Sequence, residues 1–448
     1  MNIRVSWSGI GFIALTATTV LILAEPFVRL ALFSILVVLL LWHVLIPRAT
    51  LRSLSDAERQ VLRAFLILKG AAAVGAYVIG SNAEALFSSG WDSQGYHNRA
   101  VQISAELELT GIATSQRSVP GTGAVELSLG HFYRSLGADS LLIVSVAASF
   151  VSAVGLVLFW ISTREVVRDS WRRWYALILF FAPTTIYWSS GFGKEPLVLL
   201  GIGSFVASVA LWRRGRKPVR ALLYIAVFVL TVGMIRPHIG MVAVGALLLP
   251  LLFAHGREIA PVRRAVGLLL GAGVLLALIP LTSSLLNVEE GASLYDAAVD
   301  RAEATSEGLG DASYEAQPVN SFGSLPSAVL TTLFRPYLWE ARSVFQLLTA
   351  AEAAAALVLG VYGLAKGGFS RLYRQRGFWT LYSSGYILAF SSVVVTYGNF
   401  GLLARQRMQV WPFMSLLLVL ALQEASSNRL PKASPRSTPH DTKSSWTR

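Results

Sequence analysis

One stretch decides the fold of this chain: residues 140–162 read SLLIVSVAASFVSAVGLVLFWIS, without a single charged side chain. A helix rises about 1.5 Å per residue, so a run of this length can cross the hydrocarbon core of a bilayer, about 30 Å thick. Similar runs recur along the 448 residues, of which 54% are hydrophobic and 14% charged, with a mean hydropathy of +0.57. This composition predicts an all-α, polytopic integral membrane helical bundle rather than a soluble globule.

The apolar runs predict about twelve transmembrane helices in one membrane domain, residues 1–424. The tail that follows, residues 425–448, is rich in serine, proline, lysine and arginine and is expected to be disordered. The predicted spans are 8–24, 27–46, 64–82, 140–162, 174–190, 195–212, 221–236, 238–254, 265–286, 343–365, 378–397 and 408–424.

Basic residues predict the orientation, because lysine and arginine resist translocation and collect in cytoplasmic loops. Short basic segments between the spans, together with Arg4 and the tail, hold about two thirds of the 38 lysines and arginines. Both termini are therefore expected in the cytoplasm, and the loops 83–139 and 287–342 outside, with short helices near 96–108 and 327–334. The net charge of +13 is expected to meet anionic lipid and not nucleic acid.

The first outer loop contains a candidate catalytic carboxylate, Asp92, within GWDSQGYH at 90–97. A carboxylate at a membrane-surface cleft can accept the proton of a sugar hydroxyl as that hydroxyl attacks. The structural alternative is a helix cap, because Asp and Ser both favour helix starts. The sequence leaves both roles open for Asp92.

A tight outer turn, SSGFGKEP at 189–196, places Lys194 and Glu195 between two spans. An ammonium group here would attract a phosphate, although the spacing of a P-loop is missing. The structural alternative is a turn after which Glu195 and Pro196 begin a helix favourably. A turn alone does not require a lysine on the outer side, which favours a function for Lys194.

Two further outer turns, RPH at 236–238 and RQR at 405–407, present guanidinium groups. Arginine suits bidentate contact with phosphate, so convergence of Lys194 with the three arginines would create an anion site. Taken singly, each side chain could instead extend toward lipid headgroups.

An aromatic-rich stretch, FRPYLWE at 334–340, suits the membrane interface, and Arg335 could pair with Glu340. His97, His131 and His238 are spread over different loops, without the short spacing of metal ligands. The histidines therefore do not indicate a metal site, and no cofactor is expected. No nucleotide-binding motif occurs either, so ATP-driven transport by this chain alone is not expected.

In this layout the chain resembles the GT-C glycosyltransferase superfamily of bacterial polysaccharide assembly. Members have many membrane-spanning helices, an acidic residue in the first large outer loop, and outer basic residues that hold the phosphate of a polyprenyl-linked sugar. The resemblance implies a bacterial cytoplasmic (inner) membrane protein with Asp92 as catalytic base. Its partners would be a polyprenyl-phosphate- or pyrophosphate-linked sugar, a glycan acceptor and membrane lipid. The Asp-Asp or Asp-x-Asp pattern of some members is missing from this loop. The candidate residues for binding lipid phosphate and glycan are His97, Lys194, Glu195, Arg236, His238, Arg335, Glu340, Arg405 and Arg407.

Two other functions remain open at this stage. O-antigen and exopolysaccharide polymerases also combine many spans with outer arginines and act on undecaprenyl-pyrophosphate-linked repeats. A lipid-linked glycan transporter or flippase would need polar residues in the middle of its spans, where Lys69 and Glu352 are the exceptions to an apolar pattern.

Overall fold

A computed structural model gives the fold of the chain. The structure describes residues 25–81, 92–115, 119–256, 258–286 and 321–427, with single residues at 293, 296, 297, 299, 300, 314 and 319. The predicted span 8–24, most of the predicted second outer loop and most of the predicted disordered tail lie outside the described residues.

The described part of the chain is all-helical and contains no strand, which confirms the all-α part of the predicted fold class. Short 3-10 helices at Arg164–Val166 and Phe322–Ser324 and a π-helix at Val229–Gly233 connect some of the longer elements. The α-helices are α1 Pro26–Leu45, α2 Arg48–Arg52, α3 Asp56–Ser81, α4 Asp92–Leu109, α5 Thr122–Leu136, α6 Leu141–Thr163, α7 Asp169–Phe180, α8 Pro183–Trp188, α9 Lys194–Arg214, α10 Pro218–Phe228, α11 Pro237–Gly245, α12 Leu248–Phe253, α13 Pro261–Leu286, α14 Leu325–Phe334, α15 Val344–Ala365, α16 Gly368–Arg374, α17 Phe378–Val394 and α18 Phe400–Ser426.

Seven of these helices are long and apolar enough to cross a membrane: α1, α3, α6, α9, α13, α15 and α18. Each corresponds to a predicted span, so seven of the twelve predicted spans have a matching helix in the described part of the chain. Four other predicted spans, 174–190, 221–236, 238–254 and 378–397, fall on shorter or broken helices. The twelfth, 8–24, lies outside the described residues.

A proline breaks one apolar run that had been predicted as a single span. The run 174–190 is divided at Ala182-Pro183, where α7 has ended and the six-residue helix α8 begins. Proline lacks an N–H and disfavours the helical region in the residue before it, so a run that contains one often ends there. The run 221–236 is divided without a proline, because α10 ends at Phe228 and a π-helix follows at Val229–Gly233. The predicted span 378–397 is shortened to the 17 residues of α17.

The centre of the bundle is formed by α18, which is buried along its apolar length, and by α6 and α9. Two glycines let α6 and α9 approach closely: a Cβ on Gly203 would lie 1.9 Å from the carbonyl oxygen of Gly155. By contrast, α1 and α13 expose most of their apolar side chains and lie at the outside of the bundle. The two helices of the predicted first outer loop, α4 and α5, pack together over one end of α6.

Candidate functional site

A buried carboxylate, Glu195, forms the centre of the candidate site. It lies in the first turn of α9, is 3% exposed, and contacts two arginines from distant parts of the chain. Its Oε1 accepts from Arg236 Nη2 at 2.7 Å and from Arg405 Nε at 2.6 Å, and its Oε2 accepts from Arg405 Nη2 at 2.8 Å. Both carboxylate oxygens of Glu195 therefore accept hydrogen bonds from guanidinium groups.

Local sequence explains how these three side chains reach one end of the bundle. A glutamate in the first turn of α9 is favoured by the helix dipole, and Pro196 is tolerated there because its missing N–H would be unpaired anyway. Arg236 precedes Pro237 and lies at a break between two helices, with a non-helical backbone of φ −143° and ψ 70°. Arg405 lies in the second turn of α18, whose start is capped by the side chain of Asn399.

Asp92 connects this buried centre to the surface. Its Oδ2 accepts from Arg405 Nη1, while the Asp92 side chain is 56% exposed and that of Arg405 only 12%. Asp92 is also the first residue of α4, where a carboxylate complements the helix dipole. The two roles that the sequence left open, helix start and member of a site, are thus compatible.

Lys194 differs from the two arginines because no carboxylate of the described residues lies within ion-pair distance of it. Its Nζ donates to Thr122 Oγ1 at 2.7 Å, at the start of α5. Within the cluster, two carboxylates balance the two guanidinium groups, so the ammonium of Lys194 leaves one net positive charge.

Three further members of the cluster were not predicted from the sequence: Tyr96, Thr122 and Gln406. Gln406 Oε1 accepts from Arg236 Nη1 at 2.9 Å. Burial raises the pKa of Tyr96 to about 12, although the nearby Arg405 opposes the shift, so Tyr96 stays a neutral phenol at pH 7. The spacing of four residues between Asp92 and Tyr96 places both on one helical face and could have indicated Tyr96.

The two candidate histidines have different positions. His97 turns away from the cluster: its Nδ1 lies 2.9 Å from the Tyr133 hydroxyl, and this contact packs α4 against α5. Burial lowers the pKa of His97, and Asp139, whose Oδ1 is 4.0 Å from Nε2, opposes that shift. His238 lies in the first turn of α11, within electrostatic reach of Arg236 and Lys194.

The expected convergence of four cations does not include Arg407. Each helical residue turns by about 100°, so Arg407 points about 200° away from Arg405 on α18. Its buried guanidinium donates to the carbonyl oxygens of Thr332 at 3.3 Å, Thr349 at 3.4 Å and Arg335. Arg407 therefore ties the end of α14 to α15.

Arg335 and Glu340 form the ion pair that the sequence indicated, but they form it apart from the Glu195 cluster. Arg335 Nη2 and Nε lie 2.5 and 3.0 Å from Glu340 Oε1. The Arg335 guanidinium also lies over the rings of Tyr314 and Phe400, at 4.4 and 5.1 Å from their centres. These contacts pair the charge of Arg335 with protein groups outside the Glu195 cluster.

An apolar cavity of about 640 Å³ adjoins the cluster. It lies between α1, α5 and α6, and most of its lining side chains are valine, leucine, alanine and phenylalanine. Gly193 and Ile235 line it as well, and each immediately precedes a basic residue of the cluster, Lys194 and Arg236. The cavity thus runs from the middle of α1 to the polar cluster.

The short helix α8 leads into the cluster and is held at both ends by buried charged residues. Glu352 on α15 accepts from the backbone N–H of Thr184 at 2.6 Å, at the start of α8. Lys69 on α3 donates to the Ser189 carbonyl at 2.8 Å and to the hydroxyls of Ser189 and Ser190 at 2.9 and 3.0 Å. Both side chains satisfy backbone groups at the ends of α8, where a helix leaves N–H and C=O groups without internal partners.

The turn after α8 is fixed to α4 by a further hydrogen bond, from the Ser93 hydroxyl to the carbonyl of Phe192 at 2.6 Å. This contact holds the start of α4, where Asp92 lies, beside Lys194. Among the described residues, no group of three or more metal-ligating side chains occurs.

No family model matches the chain, and no curated protein or solved structure matches it either.

Proposed function

We propose that this chain is a membrane glycosyltransferase that takes a sugar from a polyprenyl-phosphate carrier at the outer face of a bacterial cytoplasmic membrane. The observation that carries the proposal is the position of Lys194. Its ammonium has no carboxylate partner among the described residues and lies where an apolar cavity meets a polar cluster. An amphiphile fits this site, because its hydrocarbon chain can occupy the apolar cavity while its anionic head contacts Lys194.

The cavity supports a hydrocarbon ligand. Its volume of about 640 Å³ falls within the range of about 300 to 1,000 Å³ typical of small-molecule sites. It is bordered by α1, which lies at the outside of the bundle, so a lipid chain could enter laterally from the bilayer. Burying that chain against valine and leucine side chains removes apolar surface from water.

The cluster supports an anionic head. Glu195 and Asp92 neutralise Arg236 and Arg405, which leaves the charge of Lys194 for the phosphate. Hydrogen bonds between an ammonium and phosphate oxygens are charge-assisted and stronger than neutral ones. Carbohydrate transfer moves negative charge onto this phosphate, so Lys194 stabilises the transition state more than the bound ground state.

The chemical step uses the exposed carboxylate. A hydroxyl oxygen of the glycan acceptor attacks the anomeric carbon, the bond from that carbon to the carrier phosphate breaks, and its electron pair remains on the phosphate. Asp92, whose side chain is 56% exposed, takes the hydroxyl proton as general base. Attack opposite the leaving phosphate inverts the anomeric centre.

The proposal is tested by glycan analysis of a strain that lacks this chain. We expect one sugar to be lost from the lipid-linked intermediate and to return with wild type and with Lys366→Met, but not with Lys194→Met. Lys366 is an exposed residue at the end of α15, so its replacement is a matched control for loss of one lysine. Accumulation of complete single repeat units would instead indicate a polymerase, and unchanged glycans would exclude both reactions.

A further inference from the structure

A second pocket, of about 360 Å³, lies far from the Glu195 cluster. It is formed where α1 ends, α2 begins and the turn between α9 and α10 approaches them. The Tyr224 hydroxyl donates to the carbonyl of Leu45 at 2.5 Å and so holds α10 against the end of α1. The residues that line the pocket are His43, Ile46, Pro47, Arg48, Ala49, Lys217 and Arg220.

The lining carries three cations and no carboxylate. Arg48, Lys217 and Arg220 form no ion pair with any described residue, whereas several other arginines of the basic segments do. Those other arginines each contact a glutamate or an aspartate, in the pairs Arg164–Glu58, Arg168–Glu424, Arg172–Asp169, Arg213–Glu165, Arg213–Glu258 and Arg214–Glu165. The pocket therefore concentrates positive charge that the protein itself does not neutralise.

The backbone around Lys217 adds to this field. Lys217 has φ +52°, a left-handed conformation that residues with a Cβ rarely adopt, and it precedes Pro218 at the start of α10. No side chain caps that start, so the first N–H groups of this eleven-residue helix and its dipole also favour an anion at this place.

Exposed apolar side chains lie close in sequence to the lining residues His43, Lys217 and Arg220. Val44 on α1 and Val219, Leu222 and Leu223 on α10 are 39%, 80%, 68% and 38% exposed. The pocket lies at the opposite end of α9 from Lys194, and the 21 residues of α9 span about 30 Å, the thickness of a hydrocarbon core. A membrane that accommodates the first site therefore places this pocket at its other surface.

We propose that this pocket binds a phosphate group, and that the headgroup of an anionic phospholipid supplies it. The phosphate would contact Arg48, Lys217 and Arg220, and the acyl chains would lie along the exposed valines and leucines of α1 and α10. Arginine binds phosphate oxygens in a bidentate manner. A phospholipid would in addition contact the neighbouring apolar surface, which free phosphate cannot do. The pocket is separate from the proposed transferase site and does not depend on that function.

The test uses the full chain in nanodiscs of phosphatidylcholine, with or without phosphatidylglycerol, and follows thermal unfolding by tryptophan fluorescence. Ligands that bind the folded state raise Tm. We expect phosphatidylglycerol to raise the Tm of wild type and of a control variant, Arg173→Gln/Lys366→Gln/Arg374→Gln, equally. The pocket variant Arg48→Gln/Lys217→Gln/Arg220→Gln removes the same charge and is expected to lose the increase.

A second arm adds inorganic phosphate to phosphatidylcholine nanodiscs at constant ionic strength. A Tm increase here that the pocket variant alone loses would support the pocket with soluble phosphate as its ligand. An equal response of all three proteins to both additions would overturn the proposal. Lys217→Gly provides a variant that folds readily, because glycine adopts the left-handed conformation without strain, and it is expected to lose part of the increase.

Discussion

Arg405 Nε and Nη2 hold the two carboxylate oxygens of Glu195 at 2.6 and 2.8 Å, although the two residues are 210 positions apart in the chain. This bidentate pair joins the start of α9 to the start of α18. Arg405 also donates to Asp92, the first residue of α4, through its Nη1. Three helices thus meet through one arginine.

Glu195→Gln is expected to destabilise the protein strongly. Removing one partner of a buried ion pair leaves the other charge buried without compensation and costs about 3 to 5 kcal/mol. Here both Arg236 and Arg405 would lose their shared carboxylate. Thermal unfolding of the detergent-solubilised protein measures the effect. Glu258→Gln is the matched control, because Glu258 also pairs with an arginine, at 2.6 Å, but is 35% exposed. Equal changes in the two variants would contradict the prediction.

Asp92→Asn is expected to abolish sugar transfer and leave folding almost unchanged. The Asp92 side chain is 56% exposed, and exposed ion pairs contribute less than about 1 kcal/mol. An amide keeps the size of the side chain but cannot accept the proton of an acceptor hydroxyl. The measurements are Tm and the amount of transferred sugar in the complemented strain. Asp139→Asn is a control with a similarly exposed carboxylate, and an active Asp92→Asn variant would remove Asp92 as the base.

Glu352→Gln is expected to retain activity, whereas Glu352→Ala is expected to lose stability. The Glu352 carboxylate accepts from the Thr184 N–H at the start of α8, and a glutamine oxygen can accept the same hydrogen bond. Alanine would leave that buried N–H without a partner, at a cost of about 1 to 3 kcal/mol. Glycan composition and Tm are measured for both variants. Loss of function in a stable Glu352→Gln variant would favour a transporter, in which this carboxylate binds a proton or cation.

Acidification is expected to reduce stability through His97. Burial lowers the pKa of His97 in the folded protein, so the unfolded chain binds a proton at higher pH than the folded chain does. The free energy of unfolding therefore falls as the pH drops below about 6.5, by at most about 1.4 kcal/mol per pH unit for this group. The fall ends at the lower pKa of the folded state.

His97→Gln is expected to weaken that pH dependence, and His131→Gln, which replaces an exposed histidine on α5, is not. Thermal unfolding of both variants and wild type across this pH range provides the comparison. A wild-type pH profile in His97→Gln would mean that other groups cause the acid sensitivity. Because Tyr133 is the hydrogen-bond partner of His97, glutamine at this position can keep the contact between α4 and α5.

Local features of the sequence predicted much of the fold. The run 140–162 became α6, the helix expected near 96–108 became part of α4, and the one near 327–334 became part of α14. The prediction of twelve spans exceeded the seven long apolar helices because apolar composition alone does not show where a helix ends. Pro183, Pro218 and Pro237 start new helices inside or beside apolar runs.

The candidate site was predicted as a set of residue types and not as an arrangement. Lys194, Glu195, Arg236 and Asp92 were recognised because polar side chains at the ends of apolar runs are unusual. Lys69 and Glu352 also stood out, but their contacts with the two ends of α8 were invisible in the sequence. Their partners come from segments more than 100 residues away.

The sequence by itself determined that the chain is helical and apolar, and which polar residues lie at the ends of its helices, because these properties depend on neighbouring residues. Only the tertiary structure decided which of those residues meet. Arg405 and Arg407 have the same side chain and nearly the same place in the sequence, yet one binds Glu195 and the other binds three backbone carbonyls. Two residues on a helix differ by about 200° in direction, and what each direction faces depends on how the helices pack.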